Sequence, residues 1–267
     1  MSGTSSTPAT IVIRDIESLA EMREVEQLQR DIWGVEDLDV YPTLAFKPQT
    51  EVGAILMGAF AEGRMVGFVF RFPGILDGET IIHSDMLGIR EEYRSRNLGY
   101  LLKLAQREAA IARGVKRITW TFDPLQSRNA HFNFEKLGVI ADKYYVDYYG
   151  VTSSFLHRFG TDRLWVTWLL ESERVKSRVD GKSSPHSPVA DLPRVVRVGE
   201  DLEPVAGETI SGPQVIIEIP GELKSHHERW REATRQAFTS AIDAGYVVEE
   251  FYISDDRKVG RYLLRHD

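Results

Sequence analysis

The sequence predicts a mixed α/β fold, on three observations. Short apolar or alternating runs read as strands, and longer runs with apolar residues three or four apart read as helices. The two kinds interleave along the chain, which is the pattern of a mixed sheet flanked by helices. The 267 residues, 42% apolar and including five Trp, allow a sizeable core.

Residues 1–10 are small and polar and read as a loose tail. Residues 11–14 (IVIR) read as a strand. Leu19, Met22, Val25, Leu28 and Ile32 then predict a helix over 19–33, stopped by Gly34. Residues 35–51 carry Pro42 and Pro48 and read as irregular, with at most a short helical turn. Strands follow at 54–61, 65–72 and 80–89, punctuated by Pro73-Gly74 and Asp77-Gly78. A polar loop over 90–99 opens a helix reaching Arg113, with Leu98, Leu101, Leu102, Ala105, Ala109 and Ala112 as its apolar stripe. A strand at 117–122, a helix at 127–137 closed by Gly138, and strands at 143–149 and 164–170 complete a domain over 11–172. Residues 173–193, rich in Pro, Ser and alternating charge, read as a linker. Residues 194–267 then give strands near 195–198 and 214–219, a helix at 222–244, and strands at 246–253 and 259–264. This smaller C-terminal α/β region repeats the order strand, helix, strand of the first domain's centre.

Composition removes several function classes. A net charge of −7 argues against a nucleic acid held on a basic face. The chain has no Cys, which excludes disulfides, thiolate metal sites and a Cys nucleophile. No apolar run approaches the ~18 residues that span a membrane, and the N-terminus lacks the apolar core of a signal peptide. A cytoplasmic protein without membrane contact is expected. His226-His227-Glu228 lacks the spacing that puts two His on one helix face, so no metal is expected there.

The chemistry concentrates between Met86 and Tyr100. There a strand feeds the loop Arg90-Glu91-Glu92-Tyr93-Arg94-Ser95-Arg96-Asn97, and the loop opens a helix at Leu98-Gly99-Tyr100. Backbone N–H groups at a helix start lack intrahelical partners and, with the helix dipole, suit a pyrophosphate. Gly99 lets backbone come close; Arg94 and Arg96 add positive charge. His83 and Asp85 alternate with Ser84, so strict alternation puts them on one strand face with Leu87. Asp123-Pro124 joins a strand end to the next helix, where ligands of open α/β sheets gather, and Asp123 is a candidate to hold an amine. Arg163, in Thr161-Asp162-Arg163, is a candidate for a carboxylate or for a surface salt bridge.

Arg94-x-x-Asn97-x-Gly99 after an apolar strand resembles motif A of the GNAT superfamily of N-acetyltransferases, whose pattern is Arg/Gln-x-x-Gly-x-Gly/Ala. Asn97 replaces the first Gly, and Asn tolerates a left-handed backbone better than most residues. Asn129-Ala130-His131-Phe132-Asn133-Phe134-Glu135-Lys136-Leu137-Gly138 is similar to the family's Asn…Ala…Tyr-Glu-Lys-Leu-Gly-Phe. The resemblance covers roughly residues 10–172 and implies the GNAT acyl-CoA N-acyltransferase fold.

It also implies acetyl-CoA, or another acyl-CoA, as cosubstrate, with no metal, and direct transfer of the acyl group to an amine. By the same resemblance, Leu87, Gly88 and Ile89 contact the pantetheine arm and Arg94, Ser95, Arg96, Asn97, Leu98, Gly99 and Tyr100 take the pyrophosphate. Asn129 lies beside the arm. His83 occupies the position of the base used by the histone-modifying branch, with Asp85 as a second candidate and Asp123 for the substrate amine. The family's acidic Tyr is Phe134 here, which leaves Tyr144, Tyr145, Tyr148, Tyr149 or water to protonate the thiolate, or the thiolate to leave unassisted. The Asp-Pro-Leu-Gln-Ser-x-Asn-Ala run, the Tyr-rich strand, Thr-Asp-Arg and the C-terminal extension resemble a bacterial branch linked to N-acylamino-acid metabolism. That implies a small-molecule amine as partner, an amino acid among the candidates, and acetyl or succinyl as the group moved. The alternative is an acyl-CoA-binding module without turnover, to which Phe134 and Asn97 lend support; protein or histone acetylation is a third reading. Residues 194–267 are candidates to cap the cleft or to form a homodimer contact.

Overall fold

A computed structural model describes residues 10–182 and 191–266. The expected tail, apart from Thr10, and residues 183–190 of the expected linker lie outside them. The chain forms two compact units. One runs to Val115 and includes Ser153–Phe155; the other comprises Lys116–Thr152 and Leu156–Asp267. Neither boundary falls at the expected linker.

In the first unit, strands β1 (Ile11–Asp15), β2 (Ile55–Ala61), β3 (Arg64–Leu76) and β4 (Glu79–Ile89) pair in sequence order, all antiparallel. Helices α1 (Leu19–Trp33) and α2 (Thr43–Glu51) cover one face. Ser18 caps α1 by accepting the Glu21 N–H, and left-handed Gly34 ends it. Met22, Val25, Leu28 and Ile32 bury against Leu56, Phe68 and Phe70, each contributing about 1.5–3 kcal/mol. Residues 43–51 are helical despite two prolines. Pro42 sits at the N-cap, where no helical N–H is needed. Buried Phe46 packs on Tyr41 and Phe70, with centroids 4.8 and 4.9 Å away, and offsets the hydrogen bond lost at Pro48.

β3 also runs further than expected, through Pro73-Gly74, because it forms a hairpin arm with β4. Asp77 and Gly78 close the hairpin with φ of 53° and 78°, the positive pair of a type I′ turn. Helix α3 (Leu98–Ile111) covers the other face, where Leu98 and Leu102 meet Ala59, Val66, Val69 and Ile89. Its buried row is Leu98, Leu102, Gln106 and Ala110, four residues apart, with Lys103 beside it. Leu101, placed in the stripe by sequence, is exposed.

The second unit has the strand order β5-β7-β6-β11-β12-β10-β8-β9. These are β5 (Arg117–Phe122), β6 (Ile140–Tyr145), β7 (Arg163–Leu169), β8 (Arg194–Val198), β9 (Pro204–Ala206), β10 (Gln214–Pro220), β11 (Val247–Ile253) and β12 (Val259–Arg265). The C-terminal strands therefore continue the sheet begun by β5–β7, and the buried Tyr262 hydroxyl donates to the Pro124 carbonyl at 2.7 Å. Helix α4 (Ser127–His131) runs on as a π-helical turn, Phe132–Leu137, ended by left-handed Gly138. The expected linker begins as a helix, α5 (Glu173–Val179), because Arg178 is buried in ion pairs with Glu250 and Glu135 at 2.6 and 3.4 Å. Helix α6 (His227–Asp243) buries Trp230, Ala237, Phe238 and Ala241. Among the described residues no helix is long and apolar enough to cross a membrane.

Candidate functional site

The first unit builds its site on an irregularity in β4. Phe70 pairs with Met86 but Arg71 pairs with Ser84, so Asp85 is an extra residue, a β-bulge. This corrects the expectation that His83, Asp85 and Leu87 share a face. Leu87 packs in the α3-side core, while Met86 packs in the α1-side core and His83 lies 5.5 Å from the Phe72 ring that packs there too. Asp85, Met86 and Leu87 are successive half-buried residues within an otherwise buried stretch from Ile81 to Ile89.

The bulge changes what the two candidate bases can do. His83 is buried, and burial followed by the nearby Lys103 charge lowers its pKa to about 4. Its imidazole is neutral at pH 7 and a weak base. Burial pushes the Asp85 carboxyl up, towards a useful general-base range.

Behind the bulge lies a polar network that the sequence reading missed. Lys103 Nζ and Gln106 Nε2 of α3 each donate to Ser84 Oγ at 2.9 Å. Arg71 donates to the Gln106 carbonyl. Lys103 is 3% exposed and Arg71 1%. Burial, then the neighbouring Arg71, drives the Lys103 amine well below its ordinary pKa; burial, then Arg113, lowers Arg71 to about 10, against a small opposing effect of Asp15. The available signal was a polar pair, Lys103 and Gln106, on the side of an apolar helix.

The loop after β4 forms a 3₁₀ turn, Glu91–Arg96, and Asn97 takes a left-handed backbone with φ 60°. The Asn97 carbonyl accepts the N–H groups of Tyr100 and Leu101, both at 3.1 Å. The Leu98 and Gly99 amides precede the first helical bond, at the positive end of the dipole. Arg94 Nε donates to the Ile89 carbonyl at 3.2 Å and so ties the loop to β4. The Arg96 guanidinium lies 4.8 Å from the Tyr93 ring centre. The Ser95 side chain lies outside the described residues.

The two glycines of this segment differ in the space around them. A Cβ on Gly99 would meet only Leu87 Cδ2, at 3.7 Å, so the approach to the helix start is open. Gly88 differs: a Cβ there would lie 3.0 Å from both Ile32 and Phe68 side chains. Gly88 is small to seat α1. Leu98 and Ile89 are core residues whose side chains are committed, so any ligand contact from them is through backbone.

In the second unit Asp123 is already engaged. Its two oxygens accept from Arg231 Nη1 and Nη2 at 2.8 and 3.0 Å, and one also accepts the Leu125 N–H at 3.0 Å. The expected amine holder is therefore already held in a forked ion pair. Asn129 is exposed on α4. Its neighbour in the motif, Asn133, is buried and accepts from Trp120 Nε1 at 3.3 Å. Phe134 is a core residue packed on Phe122 and Tyr262. Tyr144 donates to Asp162 at 2.8 Å, and burial, then that carboxylate, raises its pKa, so it is a poor acid. Arg163 is buried and donates to the Asp162 carbonyl at 2.9 Å and to His157 Nε2 at 2.7 Å. Among the described residues it makes no surface salt bridge.

Residues 20–139 match the model of the acetyltransferase (GNAT) family. No curated protein matches the chain. Similar solved structures include the ribosomal-protein-S18-alanine N-acetyltransferase of Escherichia coli, 14% identical over 61% of this chain and 96% of that one, TM-score 0.48. An aminoglycoside 6′-acetyltransferase type Ii is 18% identical over 61% and 99%, TM-score 0.48. The PaiA N-acetyltransferase of Thermoplasma acidophilum in complex with coenzyme A is 16% identical over 59% and 98%, TM-score 0.43. The family match spans the bulged strand, its loop and the open helix start, so residues 20–139 form a GNAT acetyltransferase domain.

Proposed function

We propose that the protein transfers an acetyl group from acetyl-CoA to the amine of a small molecule by direct attack on the thioester. One observation carries this reading: a bulge opens the half-buried run Asp85-Met86-Leu87 in β4, and the same strand leads into a helix start open to an anion. Bound acetyl-CoA supplies the reactive thioester carbonyl. The amides of Leu98 and Gly99, with Arg96, hold the pyrophosphate. The backbone of Leu87, Gly88 and Ile89 pairs with the pantetheine arm.

An ammonium acceptor must lose a proton before attack. Asp85 removes it, directly or through one water: burial strengthens this carboxylate as a base, whereas burial weakens the His83 imidazole. Neutral His83 accepts a hydrogen bond and positions that water. Asp123 has no part in the chemistry. With Tyr144 committed to Asp162, the departing thiolate takes its proton from water.

The test is coenzyme release across a panel of amines, run with acetyl-CoA and with succinyl-CoA. Amine-dependent release with acetyl-CoA is expected. If no amine speeds release while CoA still binds, the protein is a coenzyme-binding module instead. Gly99→Val adds a side chain into open space without crowding the core, and should abolish CoA binding while leaving the melting temperature nearly unchanged. Unaltered affinity would move the pyrophosphate elsewhere.

A further inference from the structure

The second unit carries a half-exposed aromatic surface over a buried arginine. Tyr145, Tyr148 and Tyr149 are 37, 40 and 41% exposed. Their rings touch in a chain, Tyr145 to Tyr148 at 5.2 Å and Tyr148 to Tyr149 at 4.9 Å, and Tyr145 leans on Trp165 at 6.0 Å. Three tyrosines kept in contact and near solvent are unusual for packing alone, since a core would bury them.

Tyr149 is held in place. Its hydroxyl lies 3.2 Å from Thr121 Oγ1, and its ring stacks on His157 at 5.7 Å and 9°. The Arg163 guanidinium lies 5.1 Å from the Tyr149 ring centre. Thr152 Oγ1 is 2.7 Å from His157 Nδ1, and His157 Nε2 accepts from Arg163, which fixes the imidazole between them.

Arg163 feels the charges of Asp123 and Asp162 without pairing directly with either. Nearby Arg231 pairs with Asp123, and Arg235 pairs with Asp162. Among the described residues no carboxylate forms an ion pair with Arg163, which is only 6% exposed. Its partners are a carbonyl and a neutral imidazole. A guanidinium kept out of water without a direct ion-pair partner is costly, and a carboxylate with forked geometry relieves the cost.

We propose that this surface binds a small carboxylate carrying an aromatic body, with the ring against Tyr145, Tyr148 and Tyr149 and the carboxylate at the Arg163 guanidinium edge. Such a ligand that also carries an amine is an aromatic amino acid. Its identification as the acceptor rests on the transfer reaction proposed above; the binding site itself does not.

The test uses the full chain without coenzyme and three probes in calorimetric titration: 3-phenylpropionate, L-phenylalanine and 2-phenylethylamine. The two carboxylates should bind, and the amine lacking one should bind at least about tenfold more weakly. Arg163→Met should remove that preference, and Tyr149→Leu should weaken all three probes alike. Because Arg163 is buried, circular-dichroism melting accompanies each variant. If Arg163→Met does not fold, Arg163→Lys retains the charge without the fork and should still lower carboxylate affinity selectively. Carboxylates that do not bind, an amine that binds as well as they do, or Arg163 variants with unchanged affinities would overturn the proposal. Carboxylate binding without amine-dependent thiol release would instead leave the site standing and remove the transfer reaction.

Discussion

The two compact units hold cations in opposite ways. In the first, Arg71 and Lys103 donate to neutral oxygens, the Gln106 carbonyl and the Ser84 hydroxyl, and both lose basicity. In the second, Arg231 and Arg235 donate in pairs to Asp123 and Asp162. Burial opposes the Arg231 charge, but Asp123 outweighs it, and Asp162 raises Arg235. The same side-chain chemistry thus loses basicity in one place and is locked as charge in another. Paired charge resists rearrangement and fixes a scaffold. A poorly neutralised cluster behind β4 costs stability where the half-buried Asp85 run lies, as expected where a site rather than a core is being built.

Breaking a pair in the second unit should have the largest effect. Asp123→Asn leaves Arg231 buried beside a neutral amide and should cost about 3–5 kcal/mol, read as a lowered melting temperature. Turnover per folded molecule should stay near wild type; a large fall in that quantity would restore Asp123 to the reaction. Next comes the base. Asp85→Asn should lower kcat about a hundredfold with little change in CoA affinity, and His83→Phe should lower it less. The reverse order of the two variants would transfer the base to His83.

Relieving the first unit's cluster should act in the other direction. A Lys103 pKa below its unfolded value means that the unfolded chain binds more protons between those two values. Stability therefore rises with pH from the lowered pKa up to about 10.5. Lys103→Met should flatten that rise and raise stability at neutral pH, by denaturant titration at pH 7 and pH 9. A slope equal to wild type would mean that Lys103 stays charged. The smallest effect belongs to neither cluster: Ser18→Ala removes the α1 cap and should cost about 1 kcal/mol.

Much of the scaffold was legible because it rests on local rules. Helix α1 and strand β5 were read to the residue from spacing and from Gly34, and Met86–Tyr100 from a strand, a loop and a helix start. What was not legible depends on distant partners. Helix α2 forms through its two prolines because Phe46 finds Phe70 across the sheet. The expected linker starts as a helix because Arg178 meets Glu250. Asp123 looked free because Arg231, its partner, is 108 positions away. Tyr148 and Tyr149, read as strand residues, lie beyond β6, past left-handed Asp147.

The extra residue at Asp85 is also a phase change in the chain. Before it, a residue facing α3 is separated from the next such residue by an even number of positions; across it, Ser84 and Leu87 face α3 three positions apart. Deleting the Asp85 codon would therefore leave every face as it is: Ser84 and Met86 would become neighbours, Ser84 still toward α3 and His83 still toward the α1-side core. What it would remove is the bulge alone, which makes the deletion a clean test of the bulge apart from the faces it joins.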